Sequence, residues 1–117
     1  MLYICIMIAR ELIKGTLKYM VLNFLKENHK MYGYEITQKV KSLSQDKIQL
    51  TEGSLYPTLH KLESLGLLKT EVEFIGKRKR KYYRLTQPGN VLMEDKIEEF
   101  TEFIKAISNV LQIKSAV

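Results

Sequence analysis

Hydrophobic residues in this chain recur at helical spacing as far as Leu65, alternate from Leu68 to Phe74, and return to helical spacing after Thr86. A helix buries residues three and four apart, and a strand buries every second one. Each change of period therefore marks a change of element. The pattern dictates three helices, a hairpin and a last helix: a mainly α fold with a small β-hairpin (α+β).

Ile13, Leu17, Met20 and Phe24, widened by Val21 and Leu25, predict a first helix over Glu11–Glu27, ending near Asn28–Lys30. Gly15 inside it costs about 1 kcal/mol relative to Ala, which predicts close approach of another backbone. A Tyr32-Gly33-Tyr34 turn follows, in which Gly33 lets the chain turn sharply. The second helix runs from about Tyr34 to Leu43, with Ile36, Val40 and Leu43 on its apolar side, and Ser44–Gln49 forms a polar loop. Thr51 is the N-cap expected for a third helix over Glu52–Gly66, and Glu52 suits the positive helix end. Leu55, Leu59 and Leu62 are expected to face inward with Leu65 as a fourth candidate, and Gly66 takes the left-handed position past the end. Pro57 lies too deep for a first turn capped by Thr51, so a start nearer Ser54 or an irregular first turn is expected.

The alternation from Leu68 to Phe74 and the aromatic Arg80–Leu85 stretch flank an Ile75-Gly76-Lys77-Arg78 turn, a hairpin signature. Of Tyr82 and Tyr83, one should be core and the other exposed. Thr86 caps the last helix, with Pro88 in its first turn. There Met93, Ile97, Phe100, Ile104, Ile107 and Leu111 repeat at 4-3-4-3-4, a heptad seam thickened by Phe103 and Val110.

Charge divides the chain in two. Residues 1–86 carry 16 basic and 8 acidic groups, and residues 87–117 carry 3 and 5. The densest cluster, Lys77 to Lys81, repels itself and gains nothing for folding. It sits at an ordered hairpin tip, where it suits a polyanionic partner. The 117 residues suffice for one core and one further element. The expected division is a basic unit at 1–86 and an acidic helix, whose heptad seam suits dimerisation, at 87–117.

Several classes are excluded. The apolar run Met1–Ala9 is too short for the roughly 20 residues that span a bilayer, and it makes a poor export signal, so no membrane partner is expected. With one cysteine, Cys5, no intrachain disulfide forms, and a reducing cytoplasm is the expected location. His29 and His60 lie in different elements, no Gly-rich loop opens a helix, and no strand precedes Gly53-Ser54 as a nucleophile elbow requires. Catalysis, cofactors and a metal site are not expected.

Three helices followed by a basic-tipped hairpin form a winged helix–turn–helix. Gly15-Thr16-Leu17, Tyr32-Gly33-Tyr34-Glu35-Ile36, Gly53-Ser54-Leu55-Tyr56-Pro57-Thr58-Leu59, Leu62-Glu63, Gly66-Leu67 and Arg80-Lys81-Tyr82-Tyr83-Arg84-Leu85-Thr86 with Gly89 occur in that order. Over about residues 11–90 the chain resembles the PadR family of winged-helix transcriptional regulators, and its length resembles the short subfamily with one C-terminal dimerisation helix. The resemblance implies a homodimeric repressor on a pseudo-palindromic operator in double-stranded DNA, often released by a small-molecule effector. Met1–Ala9 lies outside the resemblance: it either extends the first helix toward the dimer interface or precedes the true start. Multidrug-responsive members place tryptophans in a central pore; this chain has none.

On the third helix, Thr51, Ser54, Thr58 and Lys61 are the expected base or phosphate contacts in a major groove, with Tyr56 and Pro57 beside them. Tyr56 either reaches the sugar-phosphate backbone or packs. On the wing, Lys77, Arg78 and Lys79 are expected on phosphates or in the minor groove. Arg80 and Lys81 point to opposite faces, so at most one touches DNA, and Lys81 is assigned with the wing set. Tyr32, Tyr34 and Lys14 are backbone candidates, Tyr34 favoured by the resemblance, although the two tyrosines can equally pack the turn. The six seam residues are assigned to dimerisation, since the three-helix core should consume its own apolar faces. Tyr19, Phe100 and Phe103 are the candidate lining of an effector pocket. The alternative reading is a winged-helix module that binds RNA or an acidic protein surface.

Overall fold

The structure, a computed structural model, describes residues 8–114. The elements are α1 (Arg10–Lys14), α2 (Leu17–Glu27), β1 (Met31–Tyr32), α3 (Gly33–Leu43), α4 (Glu52–Ser64), β2 (Leu68–Ile75), β3 (Arg78–Leu85) and α5 (Gln87–Leu111). The strands form one antiparallel sheet in the order β1-β3-β2. Among the described residues no helix is long and apolar enough to cross a membrane.

The expected first helix is two helices. The Thr16 hydroxyl donates to the Ile13 carbonyl at 2.9 Å, taking the acceptor that the Leu17 N–H would use in a continuous helix. Nothing lies within 4 Å of where a Gly15 Cβ would stand, so this glycine marks the break and admits no neighbouring backbone. Met1–Met7 lie outside the described residues. Ile8 and Ala9 do not extend α1: Ala9 is extended, and the Ile8 N–H bonds the Lys47 carbonyl at 3.1 Å.

Tyr32-Gly33-Tyr34 is a strand end running directly into a helix, with no sharp turn. Met31 and Tyr32 pair with Tyr83 and Tyr82, and Gly33 opens α3. Gly33 is needed for proximity, because a Cβ there would stand 2.8 Å from the Tyr56 hydroxyl oxygen. Leu43 is 67% exposed and leaves the apolar side of α3 to Ile36 and Val40.

Thr51 caps α4, its Oγ1 accepting from the Ser54 N–H at 3.2 Å, so the helix starts at Glu52 and Pro57 lies inside it. Its end is a Schellman motif: the Gly66 N–H bonds the Glu63 carbonyl at 2.9 Å and the Leu67 N–H bonds the Leu62 carbonyl at 3.0 Å, with Gly66 at φ +78°. In the hairpin only Gly76, the first of its two turn residues, has positive φ (+63°), the pattern of a type II′ turn. Tyr83 is the core member of its pair and Tyr82 is half-buried.

The core gathers Leu17, Val21, Leu22, Leu25, Ile36, Leu55, Leu59, Leu68, Tyr83 and Met93. Met93 belongs to α5, so the body extends past residue 86. Thr86 hooks α5 to the α4–β2 connection: its Oγ1 donates to the Gly66 carbonyl at 2.6 Å and accepts from the Gly89 N–H at 3.1 Å. Gly89 packs so closely on Leu67 that a Cβ would overlap the Leu67 carbonyl. Further along, Tyr19 stacks on Phe100 at 4.7 Å, and its hydroxyl donates to Glu99 at 2.8 Å.

The expectation that the whole α5 seam faces outward therefore needs correction. Met93 is 1% exposed, Ile97 packs on the core and Phe100 lies on Tyr19, so the first half of the seam is closed within the chain. The three-helix core leaves a place for them against α2, the principal neighbour of α5. Ile104, Ile107 and Leu111 are 45%, 37% and 60% exposed, and Phe103 and Val110 are exposed beside them.

Candidate nucleic-acid interface

Because Leu55, Leu59 and Leu62 anchor α4 in the core, helical geometry turns Ser54, Pro57, Thr58 and Lys61 outward at i, i+3, i+4 and i+7. Thr51 sits one turn earlier. Thr51 and Ser54 are partly engaged with each other, since the Ser54 hydroxyl donates to the Thr51 carbonyl at 2.9 Å. Pro57 has no N–H, which leaves the Gly53 carbonyl without its helical donor. Tyr56 lies off this stripe, half-buried against Gly33 and packed on the core.

Two clefts flank the start of α4. One, of about 720 Å³, separates it from α1; Arg10 and Lys14 line it with Thr51, Gly53, Ser54, Pro57 and Thr58. The other, of about 530 Å³, lies toward the wing and is lined by Tyr32, Tyr34, Glu52, Arg78, Lys79 and Arg80. The α4 N-terminus, the first turn of α3 and the wing thus open on a common surface. Glu52 is the one acid lining either cleft, against five cations.

The cations on this surface are largely uncommitted. Lys14, Lys61, Lys77, Arg78 and Lys79 are exposed and form no ion pair among the described residues. Arg80 lies 4.4 Å above the Tyr32 ring, and the neighbouring Tyr82 hydroxyl raises its pKa by hydrogen bonding. Tyr34 is 53% exposed at the start of α3. The Glu35 carboxylate accepts from the Tyr32 N–H at 3.1 Å, so one donor of that helix end is already used.

Strand alternation separates the assigned Lys81 from the unassigned Arg80. Arg80 lines the cleft with Tyr32. Lys81 lies on the opposite face, its ammonium 5.4 Å from the Tyr83 ring centroid. Alternation says that two neighbours part company; only β1, lying beside β3, says which one turns to the cleft. Arg10 was also missed, although its four-residue spacing from Lys14 places both on one face of a helix.

A third opening, a groove of about 520 Å³ between α1–α2 and α5, is walled by Leu12, Tyr19, Met20, Phe24, Ile97 and Phe100. It contains two of the three expected pocket residues. Phe103 is 55% exposed, its ring centroid 6.3 Å from that of Phe100, and it does not line the groove.

Known proteins share this fold. The transcriptional regulator PadR-like family matches residues 21–95. A transcriptional regulator of Mycobacterium tuberculosis is 35% identical over 88 residues, covering 74% of this chain and 78% of that protein. A transcriptional regulator from Clostridium thermocellum superposes with a TM-score of 0.76 at 28% identity, covering 87% of this chain and 96% of its own. A PadR family regulator from Eggerthella lenta superposes at 0.70 with 34% identity, covering 89% and 88%.

Proposed function

The chain belongs to the PadR-like family of transcriptional regulators, a non-enzymatic, DNA-binding family, and from that premise we propose that it is a homodimeric repressor of a pseudo-palindromic operator. The observation that carries the reading is the common surface of α4 and the wing. Thr58 and Lys61 address base edges in a major groove, with Thr51 and Ser54 at its margin. Lys77, Arg78, Lys79, Arg80 and Tyr34 take phosphates on one side, and Arg10 and Lys14 take them on the other. Each phosphate neutralised releases condensed counterions, so association falls steeply with salt.

Residues 8–100 act as the DNA-binding body. The outer half of α5 joins two copies through Phe103, Ile104, Ile107, Val110 and Leu111, whose exposed apolar surface is what a symmetric helix pair covers. Dimerisation sets the two α4 helices about one DNA turn apart, ~34–36 Å. The Tyr19–Phe100 groove lies beside that junction and suits a small apolar effector that shifts the spacing of the reading heads.

A salt series of gel shifts tests the reading, using the promoter DNA of the chain's own gene against random duplex and RNA. The expected result is a steep salt slope with at least ~10³ preference for the operator. Equal binding to random duplex and RNA would point instead to a sequence-indifferent polyanion-binding module.

A further inference from the structure

Beyond the core, the two faces of the wing differ in kind. Cross-strand partners in an antiparallel ladder share a face. Glu71–Tyr82 and Glu73–Arg80 therefore lie on one side, and Val72–Lys81 and Phe74–Lys79 on the other. Both carboxylates of the outer wing are on the first face. There Lys30 pairs with Glu73 and reaches Glu71 at 3.8 Å, and Arg84 also bonds Glu71. The strands themselves place no acid on the second face, and Glu63 of α4 meets it only at its inner end, where the Thr70 hydroxyl donates to it at 3.3 Å. Along it, β2 passes from Leu68, 2% exposed, to Val72 at 48% and Phe74 at 72%. Its two outermost apolar side chains each stand opposite an ammonium.

An aromatic ring framed only by cations fits a partner that offers negative charge and flat apolar surface together. Base-paired DNA does so at the minor groove, where phosphates line the walls and base edges form the floor. A hairpin tip inserted there touches both walls, so this face contacts DNA as well as the face turned to the cleft. Resting on the DNA-binding reading above, we propose that Phe74 is an apolar wedge. Its ring presses into one base step from the minor-groove side while Lys81 holds a flanking phosphate on this face and Lys79, which also lines the cleft, holds one at the other wall. Such wedges unstack and bend the duplex, most readily at pyrimidine–purine steps. The wing thereby reads deformability where it makes no base hydrogen bond, and Lys81 gains a role on the face opposite Arg80.

The chain has no tryptophan, so Phe74→Trp installs a single fluorescent reporter. Leu43→Trp, at the far end of α3 and equally exposed, is its control. On titration with random-sequence duplex at low salt, the Phe74→Trp emission should be quenched and the ring shielded from acrylamide, with the control unmoved. Phe74→Ala should bind a duplex carrying a TA step under the wing about tenfold more weakly. It should also bend that duplex less, by energy transfer between labelled ends, with the salt slope unchanged because no charge is lost. If Phe74→Ala binds and bends as the parent does while salt-dependent binding persists, the wedge is refuted and the DNA-binding reading stands. If no duplex binds at low salt, both fail. If the Phe74→Trp ring is shielded without DNA as protein concentration rises, the face is a self-association surface and the wedge is refuted.

Discussion

The wing cations give the sharpest test of the interface. Arg78 and Lys79 are exposed at the hairpin tip and form no ion pair among the described residues, so Arg78→Ala/Lys79→Ala should leave the melting temperature unchanged. Its effect falls on DNA. Each phosphate contact contributes about 0.9 to the slope of log affinity against log salt. Two cations lost from each of two wings should lower the slope by about 3.6. Over a fourfold rise in salt, from roughly 50 to 200 mM, the parent should therefore lose about 150-fold more affinity than the variant. Anisotropy titrations of a labelled random duplex at four or five salt concentrations measure both slopes. An unchanged slope removes the wing from the interface. A difference of about 1.8 means that only two of the four cations engage phosphates, and single Arg78→Ala and Lys79→Ala variants then decide the arrangement: equal losses of about 0.9 from both place the contacts on one wing, which refutes the paired arrangement.

Two glycines should respond in opposite directions in urea melts. Gly89→Ala drives a Cβ into the Leu67 carbonyl and should cost about 1–3 kcal/mol or more, whereas Gly15→Ala, with open space and φ −71°, should gain roughly 0.5–1 kcal/mol. The two halves of the α5 seam should separate likewise. Ile104→Glu should sediment as a folded monomer, whereas Met93→Glu, a charge in the chain's own core, should not fold. Glu71 and Glu99 titrate below the ordinary value near 4.5, Glu71 chiefly through its bond to Arg84 and Glu99 chiefly through the Tyr19 hydroxyl. Depressed carboxylates stabilise the fold above that value, and the contribution disappears as pH falls through their folded values. Glu71→Gln/Glu99→Gln should therefore lose less melting temperature than the parent as pH is lowered through and below 4.5.

Much of the interface was legible in the chain itself. Thr51 and the leucines of α4 fix which way Ser54, Thr58 and Lys61 point, because a capped helix with a buried stripe has only one outward side. The hairpin tip was equally legible from Gly76 and the cations around it. Arg80 was not, because alternation leaves two equivalent faces until a neighbouring strand distinguishes them. Tyr56 was open for a similar reason: its packing depends on Gly33, 23 positions earlier.

What the sequence alone determined is local. The changes of hydrophobic period set the element order, Thr51 and Thr86 set two helix starts, and Gly66 and Gly76 set two reversals, since each acts through bonds and sterics within a few residues. Tertiary structure decided ownership. An apolar stripe states that a helix face must be covered and is silent on what covers it, so only the folded chain shows Met93, Ile97 and Phe100 closed against its own body and Ile104, Ile107 and Leu111 left for another surface. Gly33 and Gly89 are settled in the same way, because what excludes a side chain at each of them arrives from a distant part of the chain.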